Sequence, residues 1–375
     1  MDLSYSAEQR LLQSSVQEFA RDYLTRDRAR SLAAPEGVDR DNWRAIVQLG
    51  WLAAAVPDHL GGYGGSVIET LLIHEGVGQG LIVEPLLSVG LVVKLLDLIP
   101  SAAAEDLLQS LLSAEALWAL AHEEPAGRGD PAFVEACARP TADGWELSGY
   151  KSMVLGAPLA DGLIVSARIR STEGAADDIA LFRLDRPQFA AHLKRCCTLD
   201  GQHAADLELQ NVKVTRDARL GTDGCAAPVI AEAYDHAILA GCAEAVGAMD
   251  AALSLTAEHL KNRKQFGAPL ASFQALQHKL ADMVIAVEQA RSILLFGAAG
   301  VMQADPVGRA RAVSAAKVRV IESARVVGAH SIQLHGGIGV TEEHLVSHYF
   351  RRLFAFINRF GDADYHLARF MSSGG

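Results

Sequence analysis

The sequence predicts an α+β protein in which helices and strands occupy separate stretches of the chain. Apolar residues recur every three or four positions from Ala7 to about Ala116, as on one face of a helix. Short apolar runs, partly alternating with polar residues, continue to Leu220–Gly221 and are typical of strands. Long helical stripes return after Pro228. This order predicts three domains, over residues 1–116, 117–221 and 229–375.

The first domain is predicted to be helical. Its first helix carries apolar side chains on one face, at Leu11, Leu12, Val16, Phe19 and Ala20. The glycine-rich run Gly61–Gly65 interrupts the helical pattern and predicts a loop. Helical spacing resumes with Glu69, Leu72 and Ile73.

The middle domain is predicted to be built from short strands. Its apolar runs are bounded by glycine, proline and aspartate, which favour turns. The clearest runs are Trp145–Ser148, Gly162–Ala167, Ile179–Leu184 and Ala205–Leu209.

The last domain is predicted to be a bundle of long helices. A flexible stretch, Thr222–Pro228, leads into it. One apolar stripe covers roughly six helical turns, through Phe273, Leu276, Leu280, Met283, Val284, Val287, Ala290 and Leu294. Small side chains between Arg309 and Gly328 would let helices pack closely.

Composition narrows the class of protein. The 375 residues carry a formal net charge of −11, so nucleic acid and anionic membranes are not expected partners. The apolar run around Leu91–Pro100 is too short to cross a bilayer. The five cysteines lack the paired spacing of a metal site, and we expect no metal. Reduced thiols of this kind favour a soluble, cytoplasmic protein.

Two motifs in the last domain carry a resemblance to a known family. The first is Arg263-Lys264-Gln265-Phe266-Gly267, followed by Phe273-Gln274, and the second is Gln333-Leu334-His335-Gly336-Gly337-Ile338-Gly339. In this order and spacing they resemble the adenine-side FAD motifs of the acyl-CoA dehydrogenases. The resemblance implies that family's α+β fold, with an N-terminal helical domain, a middle β-barrel or β-sandwich and a C-terminal four-helix bundle. It also implies a tetramer that binds FAD between neighbouring subunits.

The resemblance implies a role in FAD binding for nine residues. A guanidinium can hold a pyrophosphate through two parallel hydrogen bonds, which suits Arg263. Glycine lets backbone amides approach a phosphate closely, which suits Gly336 and Gly337. The other expected contacts are Gln265, Phe266, Leu270, Gln274, Gln333 and Leu334. Plainer interpretations are a solvated arginine at a helix end and a glycine pair that caps a helix.

The positions that should hold the flavin ring carry different residues from those of the family. Within Glu123–Asp130, Glu123 stands where the family has threonine and Gly129 where it has serine. Within Gly149–Gly156, Met153 stands where the family has tryptophan and Leu155 where it has a hydroxyl. The resemblance therefore implies a ring side that lacks its usual hydrogen-bonding side chains.

The catalytic base is also missing from both family positions. Phe360, before Gly361, and Ala237 occupy those positions, and neither can take a proton. We therefore expect no catalytic residue in this chain. Two nearby acids remain as alternatives: Glu244, which we interpret as a buried polar link, and Asp362, the better candidate for a relocated base.

Three functions fit this pattern. The first is the small, non-catalytic chain of the family's α2β2 heterotetramers, similar to the small subunit of pimeloyl-CoA dehydrogenase. Such a chain would complete the FAD site of a paralogous subunit that oxidises an acyl-CoA and passes electrons to an electron-transfer flavoprotein. The second is a self-sufficient homotetramer with Asp362 or Glu244 as its base. The third is a scaffold subunit without enzymatic activity.

Overall fold

The computed structural model describes residues 5–28, 32, 38–169, 178–222, 224–303 and 305–372. Its contacts divide the chain into two compact units. The first, here the helical unit, comprises Met1–Ala29, Val67–Ile82 and Ile238–Gly375. The second, here the sheet unit, comprises Arg30–Ser66 and Val83–Ala237.

The helices follow the order that the sequence predicts. They are α1 (Ala7–Asp22), α2 (Arg40–Gln48), α3 (Val67–Gln79), α4 (Leu86–Asp97), α5 (Ala102–Leu112), α6 (Ala226–Asn262), α7 (Gln274–Val301), α8 (Pro306–His335), α9 (Leu345–Asn358) and α10 (Ala363–Ser372). The N-termini of two helices show how the sequence sets these bounds. Ser6 and Gln9 form a capping box before α1, and Asp305 caps α8 ahead of Pro306 at its first position.

Small residues bring helices of the helical unit into close contact. A Cβ added at Gly78 of α3 would lie 1.9 Å from the carbonyl oxygen of Glu244 on α6. The reverse contact is equally close, since a Cβ at Gly247 would lie 1.9 Å from the carbonyl oxygen of Glu75. A Cβ at Gly300 of α7 would lie 2.3 Å from that of Ala312 on α8. The contact at Ala312 lies within Arg309–Gly328, the stretch where the sequence predicted close packing.

The predicted apolar stripe is only partly buried. Met283, Val287 and Leu294 of α7 lie in the core, as predicted. The side chain of Val284 is 44% exposed, because it points away from that core, next to Ile285 at 54%. Phe296, at 55%, extends this second, outward apolar face along the same helix.

Among the described residues, the predicted C-terminal helical domain comprises four helices, α6 to α9, followed by the shorter α10. The last segment is divided because the backbone reverses at Phe360 and Gly361, whose φ angles are +57° and +94°. The predicted linker Thr222–Pro228 is also shorter than expected, since α6 begins at Ala226. Asp223 of that linker lies outside the described residues.

The strands of the sheet unit form one hydrogen-bonded sheet. They are β1 (Trp118–Ala121), β2 (Cys137–Pro140), β3 (Gly144–Leu155), β4 (Gly162–Ile169), β5 (Asp178–Asp185), β6 (Leu193–Cys197), β7 (His203–Thr215) and β8 (Arg219–Leu220). Their order is β6-β7-β3-β2-β4-β5-β8, with β1 beside β4. The β1–β4 and β2–β4 pairs are parallel and the others antiparallel. All four predicted strand runs lie within these strands, and Gly61–Gly65 is a loop, as predicted.

Two helices are long and apolar enough to cross a membrane by length and composition. They are Ala226–Asn262 and Gln274–Val301, with mean hydropathy of 1.5 over their most apolar 18-residue windows. Those windows are 72% and 44% buried within the fold. Core helices of soluble proteins meet the same criteria, so these helices are weak evidence for a membrane span.

Candidate cofactor site and catalytic positions

The first motif forms a hairpin at the end of α6 in the helical unit. Two short strands, β9 (Lys264–Gln265) and β10 (Ala268–Pro269), pair antiparallel. Phe266 and Gly267 make the turn with φ angles of +56° and +82°, the signs that a type I′ hairpin requires. The Phe266 side chain is 90% exposed and touches the ring of Phe273 edge-on, with centroids 6.2 Å apart.

The polar and apolar residues around this hairpin are open to solvent or a partner. Arg263, Gln265 and Gln274 are exposed, and Leu270 is half-buried. The Arg263 backbone closes the hairpin, since the Leu270 N–H donates to its carbonyl oxygen at 2.8 Å. An exposed aromatic ring beside an exposed guanidinium is the arrangement expected of a surface that binds a ligand or another chain.

The second motif forms a tight turn where α8 ends. Gly336 has φ +65° and ψ −143°, a region that is essentially restricted to glycine, and its N–H donates to the Gln333 carbonyl. A Cβ added at Gly336 or Gly337 would meet no atom within 4 Å. Gln333 is exposed, whereas the Leu334 side chain is buried, so only its backbone can face a ligand. A Cβ at position 337 would therefore meet no nearby atom among the described residues, so steric crowding within the chain does not explain the glycine.

Three histidines bring the two motifs together. His259 lies one helical turn before Arg263, His335 directly precedes Gly336, and His344 caps α9. The ring centroids are 4.4 Å apart for His259–His335, 4.6 Å for His335–His344 and 6.5 Å for His259–His344. We call these residues the histidine cluster. Sequence reasoning missed it, because the pattern emerges only when the ends of α6 and α8 are placed side by side.

A buried ion pair organises the segments of the sheet unit that resemble the family's flavin side. Lys151 Nζ lies 2.6 Å from Glu124 Oε1 and also donates to Ser166 Oγ at 3.0 Å and to the His122 carbonyl at 3.2 Å. Glu124 accepts two backbone N–H groups, from Glu135 and Ala136. Burial lowers the pKa of Lys151 to about 8, although the Glu124 carboxylate opposes that shift.

A bulge presents Met153 where the family has tryptophan. The register of β3 against β7 shifts between Lys151 and Val154, and Met153 has φ +51°. The Met153 N–H donates to Asp206 Oδ1 at 3.0 Å, and its sulfur lies 3.8 Å from Cys196 Sγ. The backbone is therefore held in an unusual conformation, while its side chain offers neither an aromatic face nor a hydroxyl.

Both family positions for the base are structural in this chain. The Phe360 side chain is buried and its carbonyl accepts a hydrogen bond from His366 Nε2 at 2.8 Å. Ala237 is buried in α6. Neither position carries a group that can abstract a proton.

Glu244 is a buried ion-pair partner, as the sequence suggested. Its side chain is 3% exposed. Oε1 accepts from His74 Nδ1 at 3.0 Å, while Oε2 lies 3.5 Å from Arg352 Nη1 and 3.9 Å from Arg359 Nη1. Burial alone would raise the pKa of Glu244, but the hydrogen bond from His74 and the neighbouring positive charges outweigh it and hold the pKa below its usual value.

Asp362 has a structural role as well. It is half-buried, and its Oδ1 accepts the Tyr365 backbone N–H at 2.9 Å, which caps the first turn of α10. Its own carbonyl accepts the His366 N–H at 3.1 Å. Both acids that the sequence offered as relocated bases are thus engaged in holding helices.

Comparison with known proteins identifies the family. The family model "Acyl-CoA dehydrogenase, N-terminal domain" matches residues 6–114, and the family model "Acyl-CoA dehydrogenase, C-terminal domain" matches residues 227–367. The chain belongs to the acyl-CoA dehydrogenase family. Proteins of this family are FAD-dependent oxidoreductases that dehydrogenate acyl-CoA thioesters.

Relatives and solved structures resemble most of the chain. Acyl-CoA dehydrogenase IpdE2 of Mycobacterium tuberculosis is 29% identical over 86% of this chain and 83% of its own length. The Tcur3481-Tcur3483 steroid ACAD, as its G363A variant, has a TM-score of 0.86 and 29% identity, and the match covers 98% and 97% of the two chains. The ChsE4-ChsE5 complex from Mycobacterium tuberculosis has a TM-score of 0.87 and 27% identity, covering 99% and 98%.

The residues of this acyl-CoA dehydrogenase fit one end of FAD and not the other. On the helical unit, an exposed guanidinium and the open glycine turn suit a pyrophosphate and its adenosine. On the sheet unit, Met153 and Leu155 supply no hydrogen bond to a flavin ring through their side chains.

Proposed function

We propose that this chain is the base-less subunit of a hetero-oligomeric acyl-CoA dehydrogenase. It would supply the adenosine–pyrophosphate side of an FAD site, while a paralogous chain supplies the flavin-ring side and the base. The main observation in support of this proposal is that both candidate acids already have structural partners. Glu244 lies in a buried ion-pair network, and Asp362 caps α10.

The chemistry explains why the base matters. Bound FAD accepts a hydride from the β-carbon of an acyl-CoA, and a carboxylate must take the α-proton in the same reaction. Removal of such a base typically costs about 10²- to 10⁴-fold in rate. With Phe360 and Ala237 at the two family positions, this chain would bind and orient the cofactor and leave proton abstraction to its partner.

The outward face of α7 supports association with another chain. Val284, Ile285 and Phe296 expose large apolar side chains on one helix, and Phe266 projects from the hairpin. Burial of such side chains in an interface contributes about 25 cal/mol per Å² of apolar surface. Because two structural relatives are described as pairs of chains, we propose a paralogous acyl-CoA dehydrogenase subunit as the partner.

The substrate is proposed to be a bulky acyl-CoA, as for the steroid enzyme among the relatives. An electron-transfer flavoprotein is the acceptor that the family resemblance implies.

The first test is the flavin content of the chain alone and with its partner. Expressed alone, it should be colourless, because it lacks the side chains that hold the ring. Co-expressed with the paralogous subunit, the complex should absorb at roughly 450 nm with about one FAD per two chains. About one FAD per chain in the isolated protein would show that it has a complete site, and a complex that needs no FAD would favour the scaffold function.

Arg263→Ala is expected to weaken FAD binding in the complex by roughly 10- to 100-fold. A hydrogen bond to a charged group contributes about 1.5–3 kcal/mol, which corresponds to that range. Fluorescence titration of the apo-complex with FAD would measure the change. Arg325→Ala removes an exposed arginine of α8 and serves as the matched control, with affinity expected to remain within about twofold. Equal affinity for Arg263→Ala and wild type would contradict the proposal.

Asp362→Asn should leave both stability and turnover unchanged. Asparagine caps a helix as well as aspartate does, so the hydrogen bond from the Tyr365 N–H is retained. It cannot act as a base, and if Asp362 abstracted the proton, kcat would fall by about 100-fold or more. Steady-state kinetics of the reconstituted complex, beside its thermal midpoint, would separate the two outcomes.

A further inference from the structure

The histidine cluster joins three segments of the helical unit that are far apart in sequence. His259 comes from the end of α6, His335 from the end of α8 and His344 from the start of α9. His335 is in ring contact with both of the others, at 4.4 Å and 4.6 Å between centroids. It therefore connects the hairpin of the first motif to the glycine turn of the second.

The hydrogen bonds of the cluster favour uncharged rings. His335 Nδ1 lies 2.8 Å from the Ser331 carbonyl oxygen, so this nitrogen carries a proton and donates. His335 Nε2 is buried and has no hydrogen-bond partner among the described residues. His344 Nδ1 accepts the Val346 N–H at 3.2 Å, so this nitrogen is unprotonated. A second proton on His335 would be a buried charge without a partner.

We propose that the histidine cluster positions the two adenine-side segments, and that acid separates them by charging His259 and His335. At neutral pH the uncharged rings, in contact at interplanar angles of 31° and 59°, hold the end of α6 that leads into the Arg263 hairpin next to the end of α8. Because solvated rings take up protons more readily than packed ones, falling pH favours separation of the segments and loosens the adenine side of the FAD site. The role in FAD retention rests on the proposed function, whereas the effect on the fold does not.

The charged and titratable groups that act on His259 and His335 oppose the protonation of these two rings. The Arg263 guanidinium and the His344 ring act on His259, and His259 and His344 act on His335. Burial first, and then these neighbours, lower the pKa of His335 to about 4, although its bond to Ser331 opposes the shift. The pKa of His259 is lowered by the same causes, burial, His344 and Arg263.

The direction of the pH effect follows from these shifts. The unfolded chain protonates His335 near the ordinary pKa of 6.5, whereas the folded chain does so only near 4. Between these values the unfolded state binds more protons, so the folded state loses stability as the pH falls from 6.5 to 4. At pH 5 the folding equilibrium should shift toward the unfolded state by on the order of tenfold through His335 alone.

His335→Gln tests this role without removing the hydrogen bond to Ser331. The glutamine amide can donate to the same carbonyl and stays uncharged at every pH used. Urea unfolding of the full chain alone, at pH 7.5 and pH 5, should show an acid-induced shift of the unfolding equilibrium constant that is on the order of tenfold smaller in the variant. His278→Gln, an exposed histidine of α7, is the matched control and should keep the wild-type pH dependence.

His259→Phe provides a second variant if the first folds poorly, because it keeps an aromatic ring against His335 but cannot be charged. In the FAD-loaded complex, wild type should lose FAD faster at pH 5 than at pH 7.5, and either variant should reduce that difference.

Equal acid sensitivity of stability in wild type and both variants would overturn the positioning role. If stability responds as expected but FAD release does not change with pH, the link to the cofactor is wrong. If instead Arg263→Ala leaves FAD affinity unchanged, the proposed half-site is wrong. The effect of His335→Gln on stability is still tested independently by urea unfolding.

Discussion

Replacing Lys151 with methionine is expected to destabilise the chain by about 3–5 kcal/mol, the usual cost of removing one partner of a buried ion pair. The reason is the carboxylate that remains. Glu124 is buried with Lys151 Nζ 2.6 Å away, and the ammonium also donates to Ser166 and to the His122 carbonyl. Methionine would leave all three acceptors without this donor. Urea denaturation at pH 7 would measure the loss.

Two variants make this prediction specific. Lys213→Met removes an exposed lysine from β7 of the same sheet and should change stability by no more than about 0.5 kcal/mol. Glu124→Gln combined with Lys151→Met removes both charges and should be more stable than Lys151→Met alone. A loss below about 1 kcal/mol for Lys151→Met would mean that the pair does not hold this region.

The Lys151–Glu124 pair also bears on the proposed loss of flavin-ring contacts. It joins the segment that contains Glu123 to the segment that contains Met153, and the Ser152 N–H donates to the Glu123 carbonyl at 2.8 Å. Both backbone segments that resemble the family's flavin side are therefore held in place. What differs from the family is the set of side chains they present. Divergence of this kind is compatible with a chain that keeps the fold in order to assemble with a partner.

Local patterns were enough to predict the order of helices and strands. An apolar period near 3.6 or near 2 is imposed by the geometry of each element, so it can be read without knowing the fold. The four strand runs and the Gly61–Gly65 loop were predicted correctly for this reason. Periodicity does not report how deeply an apolar side chain is buried, and Val284, which belongs to the predicted apolar stripe, is 44% exposed.

Side-chain partnerships between distant segments could not be predicted in the same way. His74 and Glu244 are 170 residues apart, and they meet because Gly78 and Gly247 let α3 and α6 approach closely. The histidine cluster likewise depends on three helix ends converging. The motifs predicted a cofactor segment from the sequence alone, whereas the contacts among the neighbouring histidines are apparent only in the structure.

Replacing Glu244 with glutamine should cost about 3–5 kcal/mol of stability. The substitution removes a buried negative charge that lies close to three positive or proton-donating groups. His74, Arg352 and Arg359 converge on this one carboxylate from α3, from α9 and from the residue after α9. Since the pKa of Glu244 is lowered in the folded chain, its contribution is present above the ordinary value of 4.5 and is lost as the pH falls below it. Glu244→Gln should therefore be less stable than wild type at pH 7 and should approach it in acid.

Turnover separates this structural role from catalysis. In the reconstituted complex at a temperature where both proteins are folded, Glu244→Gln should keep kcat within about threefold of wild type, whereas loss of a general base costs about 10²- to 10⁴-fold. Glu258→Gln, an exposed acid on the same helix, is the matched control and should affect neither property. A 100-fold fall in kcat with a folded variant would make Glu244 the base and this chain a catalytic subunit. Unchanged turnover beside a large loss of stability would instead mean that the acid has become part of the framework that holds α3, α6 and α9 together.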